Sequence, residues 1–256
     1  MKLKYLLFFI TSLSFLTGCS AGVSSMPVQA GDGLIHPLCV DELLSLEEGN
    51  SCINLKACQK RFSHIPFDTT SPWQASWKAD GSHPDYYGFR HYQVIGNMEK
   101  NQTLLLFSAN YGGSGTFSSA LLVEGFSPYS PTLILSQKFS GGDRCMGGLK
   151  QVRIESPETF SVVRNMSLYD LVEFVSGKQK TGLSYCARCC AGLITQRISL
   201  DGDPELESAT IFPPQGSEQN ESEKCFYNLL GTRHYSQTLA KEELTSLVDQ
   251  FLSQCK

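Results

Sequence analysis

The chain lacks most of the features that would announce a chemistry. After its first sixteen residues it has no apolar run of the roughly twenty residues that a membrane-crossing helix needs. It has no basic block: Lys and Arg number 21 against 25 Asp and Glu, for a formal net charge of −4. That balance argues against nucleic acid as a partner. There is no phosphate loop and no G-x-G-x-x-G after a strand pattern. Ser114 sits among glycines, but residue 116 is Thr, so the G-x-S-x-G elbow fails. His36, His64, His83, His91 and His234 form no H-x-x-x-H pair, and Cys186-x-x-Cys189 has no second C-x-x-C to complete a zinc site. Asp201-Gly202-Asp203 starts like a calcium loop, yet its twelfth position would be Phe212. No cofactor and no metal are expected from these patterns.

What is present is a pattern of strands. Between Phe89 and Val163 short apolar segments alternate with glycine-rich turns. Thr103 to Tyr111 leads into Gly112-Gly113-Ser114-Gly115, and Thr116 to Glu124 leads out, which reads as a β-hairpin. Leu105 and Phe107 share one face and Leu104 and Leu106 the other, so this strand should be covered on both sides. The second strand reads as half-buried, with Phe117, Leu121 and Val123 inward. Thr132–Phe139, Leu149–Ile154, Thr159–Val163 and Leu193–Leu200 read as further strands.

Helix signals flank this region. Cys39 to Glu48 and Asn54 to Phe62 read as short helices. Ser167 is placed to cap a helix whose stripe is Leu168, Leu171, Val172 and Val175, ending at Gly177. The clearest helix covers about 240–255, with Leu244, Leu247, Val248, Phe251, Leu252 and Cys255 in one apolar stripe. Its polar face is not basic, so it should dock on the core rather than on lipid. Residues 201–223 carry seven acids and no Lys or Arg, and read as an acidic solvated loop. The fold class expected is α+β: a mainly antiparallel β-sheet with a few flanking helices, stapled by disulfides.

The N-terminus sets the address. Lys2 and Lys4 precede a mostly apolar stretch from Leu6 to Leu16, followed by Leu16-Thr17-Gly18-Cys19. This resembles the lipobox of bacterial lipoproteins. The resemblance implies removal of residues 1–18 as a lipoprotein signal peptide and lipidation of Cys19. Ser20, rather than Asp, after that cysteine implies sorting to the outer membrane. Loss of Lys2 and Lys4 takes the net charge from −4 to −6. Residues 19–36 are then expected to be a flexible tether, small and polar in its first part, and 37–256 a single globular domain. The lipid would be the anchor.

With Cys19 set aside, Cys39, Cys52, Cys58, Cys145, Cys186, Cys189, Cys190, Cys225 and Cys255 are disulfide candidates. So many cysteines suit an oxidising compartment. Their number is odd, so one thiol is expected free or bonded to another molecule.

Two stretches are candidate sites. Trp73, Trp77, Tyr86 and Tyr87 fall in an aromatic segment broken by Pro72, Gly81 and Pro84, so that much of it reads as loop. Such rings can stack on sugars of a cell-wall ligand, or can plug one end of the sheet. Gly141 to Gly148 holds Asp143, Arg144 and Cys145 between glycine pairs. It is either an anion-binding nest with Arg144 as the fork, or a sharp turn braced by Asp143 and Arg144 and pinned by Cys145. Two functions stand open. One is a non-catalytic envelope lipoprotein that binds a protein or cell-wall partner. The other is a secreted envelope hydrolase, which would need Ser, His and Asp converging in a pocket.

Overall fold

The structure, a computed structural model, describes residues 33–46, 52–81, 87–178, 182–183, 186–214, 219–231 and 234–255. The expected signal peptide, the expected lipobox with Cys19 and the expected tether as far as residue 32 lie outside them. The described residues form an antiparallel sheet of twelve strands with five helices. The α+β, disulfide-stapled architecture is therefore as the sequence predicts.

Helix α1 (Pro37–Leu44), strand β1 (Cys52–Asn54) and helix α2 (Leu55–Phe62) come first. Eleven strands then follow one another across the sheet in chain order. They are β2 (Asp68–Ser71), β3 (Gln74–Lys78), β4 (Phe89–Asn97), β5 (Gln102–Asn110), β6 (Phe117–Glu124) and β7 (Thr132–Asp143). The run continues through β8 (Met146–Ser156), β9 (Thr159–Met166), β10 (Gly192–Ser199), β11 (Glu205–Ile211) and β12 (Thr238–Ala240). Helix α3 (Leu168–Ser176) links β9 to β10, α4 (Glu221–Leu230) lies between β11 and β12, and α5 (Lys241–Gln254) closes the chain. Strand β1 pairs with the start of β7.

Three apolar clusters hold this together. Leu105 and Phe107 of β5, with Leu121 and Val123 of β6, pack under α1 and α2. The opposite faces of β5 and β6, through Leu104, Ala120 and Leu122, meet Val152, Phe160, Val162 and Ile198 of β8, β9 and β10. Such contact is open to them because β7 and β8 pair only at Asp143 and Met146, then part. A third cluster seats α3, α4 and α5 on the ends of β9 to β12, with Phe226 against Phe251 at 5.4 Å between ring centroids. Burial of each such side chain contributes about 1.5–3 kcal/mol.

The helix ends follow their local chemistry. Ser167 accepts from the Asp170 N–H, and Gly177 closes α3 in the left-handed region. In α4, Asn220 and Glu223 form a reciprocal capping box. Four disulfides pin these elements: Cys39–Cys58 joins α1 to α2, Cys225–Cys255 joins α4 to the end of α5, and Cys145–Cys190 and Cys186–Cys189 lie together beside the β7–β8 turn.

Several expectations are corrected. Residues 35 and 36, assigned to the tether, are core: Ile35 is fully buried, and the Tyr92 hydroxyl donates to its carbonyl at 2.7 Å. Within the segment from Trp73 to Tyr92, residues 74–78 form β3 and residues 89–92 begin β4, and alternation buries Ala75, Trp77, Arg90 and Tyr92. The acidic stretch 201–223 is not one loop. It contains β11, whose Ala209 and Ile211 are buried, and the first turn of α4, where Glu221 and Glu223 complement the helix dipole. Strand β6 is buried on both faces rather than one. The expected free thiol is not found among the described residues, where no cysteine is free.

Residue His36 yields a pH test. Its Nδ1 accepts from the Leu38 N–H at 3.1 Å, which leaves the proton on Nε2 to face the Ile65 carbonyl at 3.2 Å. Burial pushes the imidazole down to about 4 from 6.5, with the Ile65 bond opposing. The folded state thus resists a proton that the unfolded chain accepts. Its contribution to stability is complete above pH 6.5 and is lost as pH falls towards 4, by up to about 3 kcal/mol. Urea unfolding from pH 7.5 to 4 should show this fall, and His36→Asn should make it shallower. Equal slopes in the two proteins would contradict the assignment.

Candidate functional site

The register of β4 to β7 brings four strand ends to one place. Phe89 pairs with Asn110, Ala109 with Phe117, and Phe117 with Asp143. The segments at this end therefore converge: Tyr87-Gly88 before β4, 111–116 between β5 and β6, and the β7–β8 turn. Gly88 is held at φ +71°, and a Cβ there would overlap the Asn110 carbonyl, so glycine alone permits the approach.

Beneath this end lies a buried guanidinium. Arg90 is 4 % exposed, and its Nε donates to Asp41 of α1 at 2.6 Å. Its Nη1 faces the carbonyls of Tyr87 and Asn110, each at 2.8 Å, and of Phe89 at 3.2 Å. The guanidinium carbon stands 4.2 Å from the centre of the Tyr111 ring. The Tyr111 hydroxyl donates to the other Asp41 oxygen at 2.8 Å. Burial first, then the Asp41 charge and hydrogen bond, push the Tyr111 phenol up to about 12, with Arg90 opposing.

The turn above is wired by one side chain. Asn110 Oδ1 accepts from the Gly112 N–H at 2.9 Å, and its Nδ2 donates to the carbonyls of Gly113 and Gly115. Asp143 accepts from the Thr116 N–H at 2.7 Å and forms a fork with Arg144, Nε to Oδ1 at 3.0 Å and Nη2 to Oδ2 at 3.1 Å. That fork, with the Thr116 bond, holds the Asp143 carboxyl below the usual range.

Where the sequence suggests a loop over Gly141–Gly148, the structure has a two-residue turn, Arg144-Cys145, with Arg144 in the left-handed region. A Cβ on Gly142 would overlap the Met146 carbonyl across the turn. Cys145 is bridged to Cys190, and its N–H meets the Ala187 carbonyl at 3.3 Å. Cys186 and Cys189 are bonded to each other, so the cysteine cluster is committed to bridges.

On top of this frame stand three exposed rings: Tyr87 at 60 %, Tyr111 at 54 % and Phe117 at 48 %. Tyr111 and Phe117 lie 6.5 Å apart between centroids. The four aromatics proposed from sequence are not one patch. Trp77 is a core residue, 4 % exposed, because strand alternation turns it under α1. Trp73 is at the opposite end of β3, and Tyr86 lies outside the described residues. Tyr87 alone of the four joins the loop end, with Asp143 and Arg144. Tyr111 and Phe117 were missed. The available signal was an aromatic residue on each side of the Gly112–Gly115 turn, but Phe117 read as inward by period. It begins β6 just before the buried run from Ser118 to Val123.

This face offers ring surfaces, a phenol whose proton is already engaged and a guanidinium already paired. His36 and His91 hydrogen-bond to backbone groups of Ile65 and Ala75. Among the described residues no three of His, Cys, Asp and Glu gather as a metal cluster. Comparison with protein-family models, curated proteins and solved structures returns no match to this chain.

The Cys145–Cys190 bridge closes a loop across 45 residues, which contributes about 2–4 kcal/mol. Cys145→Ser should therefore lower the melting temperature, and reductant should bring wild type down towards the mutant. A mutant that melts like wild type under non-reducing conditions would refute the structural role of the bridge.

Proposed function

We propose that this chain is a bacterial envelope lipoprotein, anchored through Cys19, whose work is to bind a partner at the loop end of its sheet. The single observation carrying the binding role is the group of three exposed rings, Tyr87, Tyr111 and Phe117, fixed on a buried polar frame. Tyrosine beside arginine is the composition of binding hot spots, and a pre-set frame lowers the ordering cost of association. The disulfides suit an oxidising compartment, and the lipobox supplies the address. The partner is an envelope protein. Because aromatic rings also stack on sugars, the cell wall is the second reading. Outer-membrane sorting rests on Ser20. The acidic balance of the chain argues against nucleic acid.

Two experiments test this. Cys19→Ala should move the protein from the membrane pellet to the soluble envelope fraction, since acyl burial at about 0.8 kcal/mol per CH₂ is what holds it. Mass analysis of the mature wild-type N-terminal peptide should show lipid on Cys19. A Cys19 found in a disulfide, or a mutant still in the membrane, would overturn the anchor.

For binding, the native lipoprotein is purified by affinity from envelope, beside a Tyr87→Ala, Phe117→Ala double variant. Both side chains are exposed, so the variant should melt within a few degrees of wild type. It should recover the partner at least about tenfold less well, the loss expected for hot-spot rings. Equal recovery would place binding elsewhere. Retention on purified sacculi with no co-purifying protein would make the wall the partner.

A further inference from the structure

A cleft of about 400 Å³ lies between the β7–β8 hairpin and α3. Arg164 of β9 lines it, with Asp170 and Glu173 of α3 and the apolar side chains of Met146, Met166 and Phe174. Its volume is in the range of small-ligand sites.

The arginine is under-used. A guanidinium carries five N–H donors. Arg164 Nη2 donates to the Ser140 carbonyl at 2.7 Å, while its buried Nε meets no acceptor among the described residues. Asp170 is near enough to favour the Arg164 charge, and its own Oδ2 is engaged by the Ser167 hydroxyl at 2.6 Å. Burial works against both charges, lowering the pKa of Arg164 and raising that of Asp170. A ligand that brings one charge of each sign would satisfy both groups.

We propose that this cleft binds a zwitterion, a free amino acid or a short peptide, with its carboxylate on Arg164, its ammonium on Asp170 and an apolar side chain against Met146, Met166 and Phe174. The Asp170 carboxylate stands beside the one guanidinium, so a simple anion such as phosphate meets a like charge there. Arg164 supplies the planar fork that a carboxylate accepts. The two ends of the ligand are thus distinguished by charge, and the Met and Phe surfaces select an apolar side chain in between. This site is separate from the loop-end face and does not depend on it.

The test is isothermal titration of the purified mature lipoprotein in detergent. The probes are leucine, phenylalanine, leucyl-leucine and leucyl-phenylalanine, each beside its N-acetylated and C-amidated form. At least one zwitterion should bind saturably, and blocking either end should weaken it about tenfold or more, the worth of one charged hydrogen-bonded contact. Arg164→Gln should abolish binding. Since that change also removes the bond to Ser140, Phe174→Ala serves as a second variant. Phe174 is 38 % exposed, and its loss should weaken the same ligand with the fold intact. Amino acids binding where dipeptides fail would name a single residue as ligand, and the reverse would name a peptide. No saturable binding by any probe, or equal binding by the blocked forms, would overturn the proposal.

Discussion

The loop end of this protein depends on one buried cation. Arg90 ties α1 to the sheet through Asp41, draws in the carbonyls of Tyr87, Phe89 and Asn110, and lies under the Tyr111 ring. A guanidinium this deep is costly to desolvate and is tolerated because its donors are met. The arrangement converts a charge penalty into geometry. The backbone before β4, the end of β5 and the first helix cannot shift independently, because each would strip a partner from the same group. Tyr111 is caught twice, by its ring and by its hydroxyl, and so stands in a fixed direction while remaining half exposed.

The second constraint is the β7–β8 turn. It is tight enough that Gly142 has no room for a Cβ, and Asp143 links it to the neighbouring β5–β6 turn through Thr116. Beyond the turn the two strands part. Faces of β5 and β6 that would otherwise meet solvent pack on β8, β9 and β10. The same turn thus positions the exposed rings on one side and the arginine cleft beside α3 on the other. The cystine pair at 145 and 190 fixes it to the segment before β10, so both surfaces are referenced to one rigid point.

Much of the fold was legible where period and caps agree. The two-faced apolar pattern of Leu104 to Phe107 placed β5 centrally, and Ser167, Gly177 and the stripe from Leu244 to Cys255 marked α3 and α5. Acidic composition misled at β11 and α4. Acids on the solvent side of a strand, or in the first turn of a helix, give the same composition as a solvated loop. The site was only partly legible. Asp143 and Arg144 were visible as a pair, but what surrounds them is set by strand register, which carries no local signature. Arg90 and Asp41 are 49 residues apart, and nothing in either neighbourhood announces the other. Trp77 shows the converse: an aromatic in a broken, loop-like segment was drawn into the core by alternation that the nearby prolines obscured.

A domain with these properties is suited to presenting a surface. The Tyr111 ring is held by the buried Arg90 and Asp41, so on the proposed reading it is set before a partner arrives. The most direct measurement is site-specific photo-crosslinking in the native envelope, with the photoreactive residue at position 117 and, as control, at the exposed Trp73 at the other end of β3. The account predicts a discrete crosslinked product from position 117 and none of that mass from position 73. Crosslinking from position 73 alone, or products of the same mass from both, would contradict a binding role for the loop end.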